Sequence, residues 1–174
     1  MEMNRQKILE RLMQVDKDMS LIDTTPDTYT CVIVGGSALV LMKKIHRSTH
    51  EIDSINASDE IKPLLESYNI NMNVRAHCTN FPDSYLQRIE AVDIPTKKVK
   101  FYTVSLEDLV VSKLCAMRDK DVEDIESESV YSDLNWNLLD DLVDEVCYGL
   151  LTDFDVTALR EHYKNYKEKY KCVN

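Results

Sequence analysis

With 174 residues, of which 44% are apolar and 30% charged, the chain is long enough for one folded domain with a real core and polar enough to be soluble and globular. Its 31 acidic and 21 basic residues leave a formal charge of −10, which opposes nonspecific nucleic-acid binding over the whole surface and leaves room for a local basic patch or a basic partner. Five cysteines without a Cys-x-x-Cys pair argue against a disulfide framework and against a zinc site, and reduced thiols in the cytoplasm are expected.

In chain order, Met1 to Ser20 is charged throughout and lacks an apolar stretch, so neither a signal peptide nor a membrane partner is expected. Ile8, Leu12, Val15 and Met19 predict a helix over Met3–Met19. Asp23–Thr28, with Pro26, is a loop, and the β-branched run Tyr29–Val34 is a buried strand. Gly35-Gly36 turns the chain into a helix over Ser37–Lys44, and a second strand carries Glu51 and Asp53 to about Ala57. Ser58 is a candidate cap for a helix ending at Tyr68. Alternation from Ile70 to Ala76 predicts a half-exposed strand, followed by a loop over Cys78–Ser84 and a short helix over Tyr85–Ala91. A strand over Val99–Val104 precedes a helix opened by Ser105 with an acid three residues on, running to about Ile125. The acidic, Ser-rich stretch Glu123–Asp133 reads as a mobile connection before helices over Trp136–Leu151 and Val156–Tyr170.

The resulting fold class is α+β: a small mixed β-sheet flanked by helices over residues 1–104, with a C-terminal helical segment over 105–174 packed on that core.

The chemistry centres on the glycines. The chain has only three, and two are adjacent between a strand and a helix, where the lack of a Cβ lets backbone approach a ligand. The following helix start suits a phosphate. Glu51 and Asp53, two apart on a strand, share a face, with Ile52 on the other. A phosphate cradle beside paired carboxylates is a site for a metal-bound nucleoside triphosphate. Ser37 has two readings, a phosphate contact and a helix cap. Lys113 falls within the apolar face built by Leu106, Leu109, Val110, Leu114 and Met117, so its ammonium must snorkel or meet an anion. Asp121 and Asp124 continue that side, and a structural Lys–Asp network is the competing reading. Tyr163, Tyr166 and Tyr170 form one stripe beside Lys164, Lys167 and Lys171; a stacking surface for RNA and a helix docked by its tyrosines both fit, and the docked helix is favoured.

Gly35-Gly36-Ser37, thirteen residues, then Glu51-Ile52-Asp53 resembles the signature of the polymerase-β-like nucleotidyltransferase superfamily. Arg47-Ser48-Thr49-His50 resembles the Arg-x-Thr-x-acid form of bacterial toxin-type members, such as those of abortive-infection systems. A second block, Leu106–Leu109 through Lys113, Arg118 and Lys120–Asp124, is similar to the same subgroup. The resemblance implies a nucleotidyltransferase-like core in which Glu51 and Asp53 hold Mg²⁺ (or Mn²⁺). It makes Gly35, Gly36, Ser37, Arg47 and Thr49 nucleotide contacts, Lys113 a triphosphate contact and Asp121 a supporting or base residue. It implies transfer of a nucleoside monophosphate from a nucleoside triphosphate to a hydroxyl of tRNA or protein, in a toxin–antitoxin setting with a cognate antitoxin. Two departures stand out. Glu51 replaces the commoner Asp, and the third carboxylate usual in such enzymes has no evident position, Glu90 and Asp93 being the nearest candidates. The competing functional reading is therefore a catalytically degenerate module that binds nucleotide or a partner. A third is a structural α/β protein that docks a partner on its acidic surface.

Overall fold

The computed structural model describes residues 2–74 and 80–171. The chain divides into two units, Met1–Ala76 with Ile89–Val104, and His77–Arg88 with Ser105–Asn174. Among the described residues no helix is long and apolar enough to cross a membrane.

In the first unit, α1 (Arg5–Ile22) is capped by Asn4, whose side chain accepts from the Lys7 N–H. Helix α1 buries the expected stripe of Ile8, Leu12, Val15 and Met19. It starts two residues later than the sequence suggests because Met3 pairs with Thr49 in an isolated antiparallel bridge. Strand β1 (Tyr29–Val34) leads into α2 (Gly35–Leu41), then β2 (Ile52–Ala57), α3 (Lys62–Ser67), β3 (Ile70–Asn71), β4 (Glu90–Ala91) and β5 (Val99–Thr103). The sheet order is β3-β2-β1-β5-β4. Strand β1 runs antiparallel to β2 and parallel to β5, β2 is parallel to β3, and β4 is antiparallel to β5, which makes the sheet mixed. Paired on both sides, β1 buries four consecutive residues, Cys31 to Val34, as a central strand requires.

Three local expectations change. Ser58 does not cap a helix; its hydroxyl accepts from the Thr30 N–H, and Asp59–Ile61 forms a 3₁₀ turn before α3. Pro63 has no N–H to give the Asp59 carbonyl, which instead accepts from Lys62. The strand from Ile70 ends at Asn71, and its expected continuation reaches residues 75–76, outside the described set, where the first two residues of the loop expected over Cys78–Ser84 also lie. The segment over 85–91 splits between a 3₁₀ run, Asp83–Arg88, and β4, because Glu90 and Ala91 pair with Thr103 and Tyr102 at the sheet edge.

The second unit is helical. It comprises α4 (Leu106–Ala116), α5 (Asp119–Ile125), α6 (Glu128–Tyr131), α7 (Trp136–Gly149) and α8 (Asp153–Tyr170). Ser105 and Asp108 form the expected capping box at the start of α4. The helix expected to reach Ile125 breaks at Met117, which adopts a left-handed φ of 45°. The stretch read as a mobile connection instead holds the end of α5 and all of α6. The tyrosines of α8 are packed, as favoured. Tyr163 donates to Asp140 (2.8 Å), Tyr166 to the Ile125 carbonyl (2.7 Å), and Tyr170 stacks on Tyr131 with ring centroids 4.5 Å apart. Lys167 pairs with Asp140 and Lys169 with Glu126.

Cys31, Cys115 and Cys147 are free thiols, while Cys78 and Cys172 lie outside the described residues. Burial pushes the Cys31 thiol up to about 11 and the Cys115 thiol up to about 12, so both are held protonated at neutral pH.

One buried carboxylate fastens α1 to the entry of β5. Asp16 accepts from the N–H groups of Lys97 (3.0 Å), Lys98 (2.6 Å) and Val99 (2.7 Å). Removing it leaves three donors without their acceptor. Asp16→Ala is therefore expected to lower stability by about 3 kcal/mol, read as a shift in the urea midpoint with the m-value unchanged.

Candidate functional site

The site begins where β1 runs out. Gly35 takes a φ of 66°, a left-handed conformation that only glycine adopts without strain. The glycine pair forms the first two residues of α2, so the helix starts ahead of Ser37 and its cap position falls on Val34. A Cβ at Gly35 would lie 3.1 Å from Oδ2 of Asp53, and one at Gly36 would lie 3.1 Å from Nη2 of Arg47. The two glycines thus make room for a carboxylate and a guanidinium of the same unit.

Ser37 is buried, and its hydroxyl has a structural use. It donates to the Val34 carbonyl at 2.9 Å and accepts from the Asp53 N–H at 3.4 Å, joining the end of β1 to the start of β2. It is not a helix cap.

Asp53 stands in a lateral row across three strands. It is paired with Val34 on β1 and with Asn71 on β3. A register shift between Val32 and Ile33 sets the facing pairs at this end of the β1–β2 ladder. Ile52 and its partner Ile70 are buried, so the period of two turns Asp53 and Asn71 to the opposite face. There Nδ2 of Asn71 donates to Oδ1 of Asp53 at 2.9 Å. Asn71 escaped the sequence reading; the only available signal was its place one residue past an apolar strand position, which does not reveal a strand neighbour.

Glu51 lies just ahead of β2 and is exposed. Its backbone is fixed by Thr49, whose hydroxyl donates to the Glu51 carbonyl at 3.0 Å. The Thr49 backbone both donates to and accepts from Met3, so Thr49 is buried within its own unit. Glu90 sits on the edge strand β4. Three strand spacings separate β4 from β2, about 14 Å, so Glu90 does not join Asp53, and Asp93 follows on the same side of the sheet order. No cluster of three or more His, Cys, Asp or Glu side chains is placed to hold a metal among the described residues.

Lys113 and Asp121 belong to the second unit. Lys113 directs its ammonium at Oδ1 of Asp121 and Oδ2 of Asp124, each at 2.8 Å, and all three are at most 5% exposed. Along an unbroken helix, residues eight and eleven apart would be separated by about 12 and 16 Å of rise. The left-handed turn at Met117 folds α5 back and makes both contacts possible. Arg118 also donates to both oxygens of Asp121. Burial raises the Asp121 carboxyl, but hydrogen bonds from Arg118 and Lys113 outweigh it and hold the group below the usual carboxylate range. The other acids of this block have local partners as well. Asp108 takes a forked pair from Arg88, at 2.7 and 3.2 Å, and Glu107 accepts from the Asn135 N–H at the start of α7.

A family model described as "Nucleotidyltransferase of unknown function (DUF6036)" matches residues 10–171. Among curated proteins and solved structures, no match is found.

Two expectations follow. Gly35→Ala is expected to cost about 1–2 kcal/mol, because a left-handed backbone must carry a Cβ against the Asp53 carboxylate. Gly36→Ala is expected to stay within about 0.5 kcal/mol of the parent, because it meets only the flexible end of Arg47 and gains helix propensity. Thermal unfolding of the two variants side by side checks the contrast. Lys113→Met leaves two buried carboxylates facing each other, and a loss of about 3 kcal/mol is expected in chemical unfolding. An unchanged midpoint would show that the ion pairs contribute nothing to stability.

Proposed function

Because the chain belongs to this nucleotidyltransferase family, we propose that it moves a nucleoside monophosphate from a nucleoside triphosphate to an acceptor hydroxyl, using Mg²⁺ or Mn²⁺ at Glu51 and Asp53. The observation that carries this reading is the Asp53 carboxylate seated over Gly35 at the strand–helix turn. The donor set fits the cation. Both side chains offer hard oxygen atoms, and Mg²⁺ is commonly held by one or two carboxylates, with phosphate oxygens and water completing its shell. When bound, such a cation neutralises charge that builds up as pyrophosphate departs.

The chain's own residues divide the remaining work. Arg47, beside Gly36, offers a planar fork of donors to a phosphate. Ser37 and Thr49 act behind the site, holding the Asp53 amide and the Glu51 carbonyl. In the transfer, the acceptor oxygen bonds to the α-phosphorus and gives up its proton to water, the bond from that phosphorus to the bridging oxygen breaks, and pyrophosphate leaves. The acceptor as tRNA or protein, and a toxin role opposed by a cognate antitoxin, rest on the resemblance of Arg47-x-Thr49 and the Leu106–Asp124 block to toxin-type enzymes.

One observation favours a second reading, a module that binds nucleotide without transferring it. The strand beside Asp53 presents the neutral Asn71 rather than a third acid. Incubation with Mg²⁺, each labelled triphosphate in turn, total RNA and cellular protein separates the two readings. Label on RNA or protein supports transfer, and calorimetric binding without label supports the module. Under either reading Asp53→Ala is expected to weaken binding of a nonhydrolysable triphosphate with Mg²⁺ by about tenfold or more, with the fold retained. Unchanged affinity would remove Asp53 from the site.

A further inference from the structure

Asn71 is held at both ends of its side chain. Its Oδ1 accepts from the Asn73 N–H at 3.0 Å, and its Nδ2 donates to Oδ1 of Asp53 at 2.9 Å. The first contact fixes which end of the amide is the donor, because a backbone N–H requires an acceptor. The second fixes one oxygen of the carboxylate. The other, Oδ2, lies against the open side of Gly35, 3.1 Å from where a Cβ would stand. The contact to Asn71 therefore ties one oxygen of the carboxylate, and rotation about its last bond would break that contact.

The residue type is informative. An acid at this position would bring a like charge within 3 Å of Asp53 and raise the cost of keeping both ionised. A lysine would orient the carboxylate but cancel its charge and compete with any cation. A neutral amide donor orients Asp53 without adding a like charge or cancelling its own. Partners of this kind, behind a metal ligand, fix its orientation and tune affinity.

We propose that Asn71 is a positioning residue, whose amide presets the Asp53 carboxylate for a divalent cation carried by a nucleoside triphosphate. The proposal rests on the reading of Glu51 and Asp53 as cation ligands.

The test uses the full chain, Mn²⁺ and a nonhydrolysable nucleoside triphosphate, with Mn²⁺ followed by electron paramagnetic resonance and stability by thermal unfolding. Asn71 is half-exposed at the end of a two-residue strand, so Asn71→Ala is expected to unfold close to the parent temperature. Its Mn²⁺ affinity is expected to fall about tenfold, and the signal of bound Mn²⁺ should broaden as ligand geometry loosens. Asn71→Asp keeps the shape, loses the donor and adds a charge. Without metal it should unfold at a lower temperature than the parent, yet bind Mn²⁺ more tightly than Asn71→Ala.

A residue that merely supports the fold would give affinities that follow the unfolding temperatures in both variants. That result overturns the proposal, as does an Asn71→Ala affinity within about twofold of the parent. Asp53→Ala separates the two layers. If it binds Mn²⁺ and triphosphate as the parent does, or if the parent binds neither, the reading of the two acids fails and the proposal falls with it. If Asp53→Ala loses binding while Asn71→Ala keeps it, only the role of Asn71 is lost.

Discussion

A carboxylate near the start of β2, beside the buried end of the central strand β1, needs a reason to be there and a place to go. For Asp53 the place is the space that Gly35 leaves open, and its backbone is held by Ser37 and by pairing with Val34. Remove that opening and several features lose their basis: the left-handed Gly35, the start of α2 two residues ahead of Ser37, and the seat of Arg47 over Gly36. The glycine pair is thus a constraint imposed first by the protein's own side chains. A phosphate-bearing ligand at this turn would meet a surface already furnished with one anionic and one cationic group, and metal-bound phosphate offers partners of both signs.

Elsewhere the acids serve the fold. Asp16 gathers three backbone donors at the entry of β5, Asp108 takes the fork of Arg88, and Asp121 and Asp124 enclose Lys113. Each is buried and each has cationic or N–H partners, as burial of a charge demands. An excess of acids in the sequence is therefore a poor guide to chemistry here. What distinguishes Asp53 is partial exposure next to a turn without side chains.

How much could be read in advance follows the range of each interaction. The β-branched run of β1, the glycine pair at the start of α2 and the capping box of Ser105 are local patterns, and each was legible; the strand carrying Asp53 was legible too, but it starts at Ile52 and leaves Glu51 just ahead of it. Asn71 was not, because its meaning depends on β3 lying next to β2 in parallel register, a fact of topology. The Asp16 contacts span more than eighty residues and leave no periodic trace. The break at Met117 was hidden for another reason: a left-handed cap on a methionine lacks the glycine that usually announces one. The short helix expected near Tyr85 gave way because edge pairing of Glu90 and Ala91 overrides weak local propensity.

That break also changes how the second sequence block is understood. Read along a single helix, Lys113 falls within the apolar face and Asp121 and Asp124 continue that side at later turns, too far along the axis to touch it. Folded back at Met117, the three close on one another in the interior, and Arg118 reaches in from the surface to share Asp121. A lysine with two carboxylates at 2.8 Å has its charge more than balanced locally. The Arg118 fork returns the group of four to neutrality, two cations against two anions, which is the condition under which such a cluster is tolerated inside a protein. The order of these residues along the chain therefore has a sufficient physical cause in the α4–α5 corner alone.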